Sequence, residues 1–453
     1  MFRTDQLGAS GSPGRPSFTA TPADSTTGDA HPAMPALARC IAVPADEFAN
    51  RYWSREALLT PSAQLERGFI DLFSPAAVDQ LISAHGLRTP FLRMAKNGSV
   101  LASATFTRSG GVGAGIADQV ADDKVLAQLA GGATLVLQAL HRTWPPLIHF
   151  GTELAAELGH PVQINAYITP PENQGFAAHY DTHDVFVLQV AGSKQWRIHS
   201  PVLEHPLPGQ TWEQRKPAVE ARATQPPLID TVLTPGDALY LPRGYLHSAV
   251  AQGEVSIHLT VGIHPVTGYD LARELISAAA SDQELRQSLP MGLDSADLPA
   301  MTDLVRSAAK RLTAAVSSAA DDQLIAVARK LNRKQASDSR PAPLPPLAQL
   351  AAIRVLDSGT GLIVRPGLRP IIRTTGGRLV LEVLDTTLNW PEQTEEALRL
   401  AFSGADFSPG QLPGLDVDER LVVARRLMRE GLVVPAADSA GRTSDVGAVY
   451  PSA

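Results

Sequence analysis

The chain is poor in cysteine, in aromatic residues and in long apolar runs. Its single cysteine, Cys40, excludes an intramolecular disulfide framework. It also excludes every zinc site built on two or more thiolates, so a metal here must be held by histidine and carboxylate. The same scarcity fits a reducing compartment, and we expect a cytoplasmic protein. No apolar run approaches the roughly 18 residues that a transmembrane helix needs, so we expect no membrane association. An excess of basic charge is also missing. With 39 Lys+Arg against 46 Asp+Glu, the net charge of -7 gives no global attraction for nucleic acid or anionic lipid. What is there in quantity is apolar content: 44% of 453 residues, enough for two or three domains with buried cores.

The texture changes along the chain. Residues 1–35 are rich in Gly, Ser, Thr, Pro and Asp, lack the apolar stretch of a secretory signal, and read as a disordered leader. Pro44 to Leu59 reads as a short helix running into a first strand, Ser74-Pro75 opens a helix, and Phe91 to Met94 reads as a strand. The glycine-rich run at 110–115 lacks the ordered dinucleotide fingerprint and has no clear strand before it; it reads as a flexible loop that could close over a site. Residues 133–158 have a helical pattern broken at Pro145-Pro146. Residues 162–264 are short β-type runs separated by Pro and Gly, the pattern of an antiparallel barrel or sandwich. An Ala-rich helical stretch from Tyr269 to about Lys334 follows, then a proline-rich linker at 341–346. A last unit holds a strand near 361–364, a hairpin over Thr374 to Gly377, and helices near 392–402 and 416–430. The end of the chain, 436–453, reads as a flexible tail.

The chemistry concentrates in the β-rich stretch. His179 and Asp181 stand two apart at the start of a strand, so both project from one face. A lone His-x-Asp pair is weak, because 12 histidines make a chance occurrence close to expected. Downstream, Pro235 to His247 reads as a turn, an apolar strand, a Pro/Gly break and a histidine opening the next strand, which can bring His247 beside the pair. Two histidines and one carboxylate form a facial triad with three open octahedral positions, the arrangement of non-heme Fe(II) oxygenases; a structural zinc would need a fourth ligand. A 2-oxoacid bound there would need a cation for its distal carboxylate. Lys194, after the Ala191-Gly192-Ser193 turn, is the candidate, although alone it reads as a solvated turn lysine. Asn165 and Tyr167 alternate on one face and are candidate hydrogen-bonding groups.

These segments resemble a known family. Asn165 to Pro171, then Gly175 to Ile198 with its Asp-Val-Phe-x-Leu-Gln and Gly-x-Lys-x-Trp runs, then Gly236 to Val250 and Ser256 to His264, resemble the JmjC-type cupin ribosomal-protein hydroxylases (ribosomal oxygenases). The ordered match runs from about residue 160 to 265. The resemblance implies a mainly β fold with α: a double-stranded β-helix (cupin/JmjC) catalytic domain over 36–268, a helical dimerisation region with linker over 269–340, and a winged-helix-like domain over 341–435. It implies His179, Asp181 and His247 as Fe(II) ligands, and Lys194 as the partner of 2-oxoglutarate, with Asn165, Tyr167 and Thr260 lining that pocket. With O2, the expected reaction is hydroxylation of a protein side chain, His or Arg of a ribosomal protein, by a homodimeric enzyme.

Two other readings stay open: the same chemistry on a peptide or secondary metabolite, and a non-catalytic metal-binding cupin regulator. The helix near 416–430 carries Arg420, Arg425, Arg426 and Arg429 among four acidic residues, which does not read as a nucleic-acid-binding face. His183 shares the parity of the ligands and is a candidate pocket residue. His258 reads as a satisfied core histidine, and His160, His199, His205 and His264 as surface residues near turns. Segments 106–117 and 205–227 are candidate rims of the site.

Overall fold

A computed structural model describes residues 34–436, except 97, 114, 174–176 and 385. All but the last two residues of the expected disordered leader, and all but the first residue of the expected tail, lie outside the described residues; Pro35 opens a short helix, Pro35–Ala38. The chain divides into two compact units, one comprising 266–327 and the other 34–265 with 328–436.

In the larger unit, the strands are β1 (Leu58–Thr60), β2 (Leu92–Lys96), β3 (Ser99–Val100), β4 (Thr107–Arg108), β5 (Gln119–Val120), β6 (Thr134–Leu137), β7 (Val162–Thr169), β8 (Asp184–His199), β9 (Ile229–Leu233), β10 (Ala238–Leu241) and β11 (Leu246–Ile263). Nine of them form one antiparallel sheet in the order β1-β10-β8-β11-β7-β6-β2-β3, with β9 on the far half of β8; β4 and β5 pair apart from it. The long strands β8 and β11 change neighbours along their length. The first half of β8 pairs with β10 and its second half with β9, while the second half of β11 pairs with β7. Two bent strands each serving two walls are what rolls one sheet into a double-stranded β-helix.

Both faces of β8 are buried, which is why it reads as the continuous apolar run Val185 to Val190 rather than as an alternation. Phe186, Leu188 and Val190 join the large core, with Leu135, Leu147, Leu154 and Leu259. Val185 and Val187 pack on the opposite side with Trp196, Leu239 and Leu241. The flanking helices start and stop as their sequences dictate. Ser74 Oγ accepts the Ala77 N–H to cap helix Pro75–Ala84, and helix Pro145–Leu158 has proline in its first turn and left-handed Gly159 at its end.

Two local expectations need correction. Residues 134–137 are not helical: they form β6, and all four are buried. A short apolar run buried on both faces has no period that separates strand from helix. Ala191-Gly192-Ser193 is not a turn that ends a strand either, because β8 passes through it to His199. The bend there is held by Gln189, fully buried, whose Nε2 donates to Ala191 O at 3.0 Å, Gly192 O at 2.9 Å and Ser256 Oγ at 3.0 Å. Gly192 has a φ of +57°, and a Cβ on it would stand 2.2 Å from Val255 O, so only glycine fits.

The C-terminal part of the larger unit has its own core, built on Leu362, Leu381, Trp390, Leu398 and Leu427. It holds the strands β12 (Leu362–Val364), β13 (Ile371–Thr375), β14 (Arg378–Val383), β15 (Thr386–Trp390) and β16 (Val433–Pro435), with helices Pro346–Arg354, Glu395–Ala401 and Val417–Arg429. The hairpin expected at Thr374 to Gly377 is the β13–β14 turn, with Gly376 and Gly377 both at positive φ. Asp416 and Glu419 form a capping box at the last helix. The smaller unit contains helices Gly268–Ala278 and Leu298–Ser317 and leaves Tyr269, Ile276, Leu298 and Val305 exposed.

Candidate metal centre and its cavity

The β10–β11 connection brings His247 to the His179 segment. His179 N donates to His247 O at 3.1 Å and His247 N to His179 O at 2.8 Å, an isolated antiparallel bridge. Their rings lie 4.4 Å apart, and His247 Nε2 is 3.7 Å from Asp181 Oδ2. One ligand atom from each of His179, Asp181 and His247 falls within 4.8 Å of the others.

The backbone also sets the tautomers. His179 Nδ1 lies 2.8 Å from Ala177 O and His247 Nδ1 3.1 Å from Tyr245 O. A carbonyl accepts the Nδ1–H of each ring, which makes Nε2 the ligand atom of each. Burial, and then the neighbouring His179, push the His247 imidazole down to about 4, so it is neutral at pH 7. Burial raises the Asp181 carboxyl, but His183, His247 and His179 together outweigh it and hold it below its ordinary value. Two imidazoles and one carboxylate with a side open to a cavity fit a divalent ion that keeps positions for exchangeable ligands.

Asp184 anchors this corner. Its carboxylate is fully buried and accepts hydrogen bonds from Tyr240 Oη at 2.8 Å, Ser54 Oγ at 2.6 Å and Arg243 N at 3.0 Å, with Arg243 Nη1 at 3.3 Å. The start of β8 is thereby tied to the turn that delivers His247.

The triad opens on a cavity of about 390 Å³. Lys194 lines it, 4% exposed, and its Nζ donates to Thr169 Oγ1 at 3.1 Å, which is itself 3.2 Å from Thr134 Oγ1. Burial pushes the ammonium down to about 7, and no carboxylate pairs with it among the described residues. A buried amine with one hydroxyl partner, in the cavity shared with the His179/Asp181/His247 cluster, is chemically suited to an anion. Tyr167 and Thr260 line the cavity.

Asn165 does not line it. Its Oδ1 instead accepts the Ala139 N–H at 3.0 Å, although Thr260, its partner across the sheet, lines the cavity. His183 also stays outside: its ring stacks edge-on against His264 at 5.0 Å and meets Gln163 Nε2 at 3.4 Å. The 106–117 loop supplies no lining residue among those described. Gly98 and Val100 at the β2–β3 turn, with Trp212 and Glu213 from the 205–227 segment, stand there instead.

His258 is not a satisfied core histidine. It lines the cavity, stacks on Tyr167 at 5.1 Å and on the edge of Trp196 at 5.3 Å, and its Nδ1 is buried without a partner. Burial and Lys194 keep it neutral. Trp196 Nε1 is likewise buried without a partner. Strand parity was the available signal for both, since Trp196 is two residues from Lys194 and His258 two from Thr260. His199, expected at the surface, is 4% exposed, and His160 stacks on Trp53 at 5.4 Å.

A bent-strand β-helix with a two-histidine, one-carboxylate centre at its mouth is a cupin-type metal protein. Residues 149–271 match the JmjC domain. Ribosomal oxygenase 1 of Gallus gallus is 32% identical over 275 residues, covering 56% of this chain and 42% of that protein. The bifunctional lysine-specific demethylase and histidyl-hydroxylase NO66 of Drosophila persimilis is 38% identical over 141 residues, 29% of this chain and 19% of that protein. The crystal structure of the Escherichia coli ribosomal oxygenase YcfD shares the fold, with a TM-score of 0.50 and 18% identity over 87% of this chain and 98% of that one. Residues 149–271 thus carry a JmjC domain, and the chain is similar over that region to ribosomal oxygenases. It spans less than half the length of the two curated relatives named here.

Proposed function

We propose that this chain is an Fe(II)- and 2-oxoglutarate-dependent oxygenase that hydroxylates a basic side chain, His or Arg, of a ribosomal protein. The observation that carries the reading is one cavity holding both the His179/Asp181/His247 cluster and the buried, carboxylate-free Lys194. Bound Fe(II) with O2 supplies the oxidising power: 2-oxoglutarate is split to succinate and CO2, and one oxygen atom enters a substrate C–H bond.

The residues of the chain bind, orient and exclude water. Lys194 Nζ, steered by Thr169, takes the distal carboxylate of 2-oxoglutarate. Val185, Val187, Leu241 and Trp196 make the wall apolar, and Tyr167, His258 and Thr260 offer polar atoms to the bound groups. At the mouth, Trp212 stands 6.3 Å from His179, and Glu213 is exposed with no ion pair among the described residues. An aromatic face beside a free carboxylate suits a cationic side chain.

We assign the helical region 269–340 to homodimerisation; exposed Tyr269, Leu271, Ile276 and Val305 support this. The 341–435 domain, three helices with a three-stranded meander, is winged-helix-like and serves protein contact. Two arginines of its last helix are engaged within the domain: Arg426 lies 4.1 Å over the Trp390 ring, and Arg420 Nη1 donates to Gly410 O at 2.8 Å. Among the described residues no helix is long and apolar enough to cross a membrane, and we place the protein in the cytoplasm.

The test is turnover of purified protein with Fe(II), 2-oxoglutarate, ascorbate and O2, with and without the host's ribosomal proteins. The expected result is succinate release stimulated by one ribosomal protein, which gains the mass of one oxygen. Succinate without any oxidised ribosomal protein would overturn the substrate assignment and keep the oxygenase.

A further inference from the structure

A separate cleft lies where helix Pro145–Leu158, the C-terminal end of helix Asp321–Asp338 and the loop through Gly367 meet. His141, Arg142, Thr152, Ser339, Arg340 and Arg369 line it. The chain as a whole is acidic, yet three guanidinium groups gather here. Neither Arg340 nor Arg369 has a side-chain hydrogen bond or ion pair among the described residues. Asp338 also lines the cleft but pairs with none of the three.

The histidine sharpens the case. His141 Nδ1 accepts the Ile164 N–H at 3.0 Å, so the neutral ring carries its proton on Nε2. Arg142 Nε stands 3.3 Å from that same Nε2. Two N–H donors therefore converge with no acceptor between them. Protonating the ring offers no relief, because burial and the Arg142 charge push the imidazole down to about 4. The open Ser339 hydroxyl adds a further donor. With three guanidinium groups against one carboxylate, Asp338, the cleft carries an excess of positive charge and of donors.

We propose that this cleft binds a phosphate group. A tetrahedral dianion accepts hydrogen bonds from several directions at once, which matches guanidinium and imidazole donors arriving from three segments; a carboxylate would leave some of them unmet. The bound group would tie the 366–369 loop to the barrel helix, where the backbone is already close: a Cβ on Gly367 would stand 3.0 Å from Thr152 Cγ2. The phosphate can be free inorganic phosphate or part of a nucleic-acid backbone. The inference is independent of the chemistry at the triad.

The experiment is calorimetric titration of the full chain at constant ionic strength with inorganic phosphate and, separately, with a short single-stranded RNA. Thermal unfolding in phosphate and in chloride is recorded in parallel. Expected is saturable binding of one phosphate and a raised Tm. The Arg340→Gln/Arg369→Gln double variant should bind more than tenfold more weakly, and Arg286→Gln, exposed and remote in sequence, as tightly as wild type. Saturable binding of RNA alone, lost in the double variant, would assign the phosphate to a nucleic-acid backbone. No saturable binding of either, or equal binding in the double variant with its fold intact, overturns the proposal.

Discussion

His179 and His247 are bridged twice through their backbones, at 3.1 and 2.8 Å, and their rings stand 4.4 Å apart. The two histidines of the proposed metal site are thus placed by main-chain pairing, so their relative position is set before any ion would bind. Preorganisation of this kind lets a site bind metal without reordering loops.

Lys194 makes co-substrate binding dependent on pH. Its ammonium is pushed down to about 7 by burial, and a bound carboxylate favours the charged form. Binding should therefore take up close to one proton above pH 8 and almost none below pH 6, and 2-oxoglutarate affinity should fall as pH rises through the folded value. For folding the sign is the opposite. Between about 7 and the ordinary lysine value of 10.5 the unfolded chain holds the extra proton, so this group's contribution to stability rises with pH there. Calorimetry in buffers of different ionisation heat measures the uptake. Lys194→Ala should abolish it and raise the 2-oxoglutarate requirement by at least about tenfold.

Gly192→Ala tests the bend in β8. The clash with Val255 O and the left-handed φ should cost roughly 2–4 kcal/mol in urea unfolding. Unchanged stability would mean that the bend does not depend on this backbone contact.

Asp184→Asn tests the buried corner. Every contact made to this carboxylate comes from a donor, so an amide would set N–H against N–H and leave Arg243 without its counter-charge. The expected loss is about 3–5 kcal/mol, with weaker metal binding through the displaced His247 turn.

Glu213→Gln tests the mouth. Glu213 is exposed, so its attraction for a cationic side chain should be modest: about fivefold in KM on a basic peptide, close to 1 kcal/mol, and smaller at high salt. A KM that does not move would detach Glu213 from substrate recognition.

The His/Asp/His cluster was legible from its spacing, although His179 stands in an isolated bridge and Asp181 precedes β8 rather than opening a strand. His179 and Asp181 lie two apart, and the Pro242 to Gly244 break before His247 reads as the turn it is. What was not legible has physical reasons. Lys194 looked like a turn residue because Ala-Gly-Ser is turn chemistry, whereas here glycine serves a bulge within one strand. His258 looked like core because its neighbours are apolar, yet those neighbours line a cavity. Asn165 shares parity with Tyr167, but its side chain is taken up by the Ala139 N–H, a tertiary contact that spacing does not encode. Of the two expected rims, 205–227 supplies Trp212 and Glu213 to the cavity, whereas 106–117 supplies no lining residue among those described, a matter of tertiary placement that local sequence does not encode.

The most direct test of the central claim is anaerobic titration of 2-oxoglutarate into Fe(II)-loaded protein, read by the visible charge-transfer absorption of an iron–2-oxoacid chelate. The account predicts that the band forms in the wild type, requires far more 2-oxoglutarate in Lys194→Ala, and is absent in Asp181→Ala. Folded wild-type protein that gives no band, or an Asp181→Ala variant that gives the same band as wild type, would contradict it.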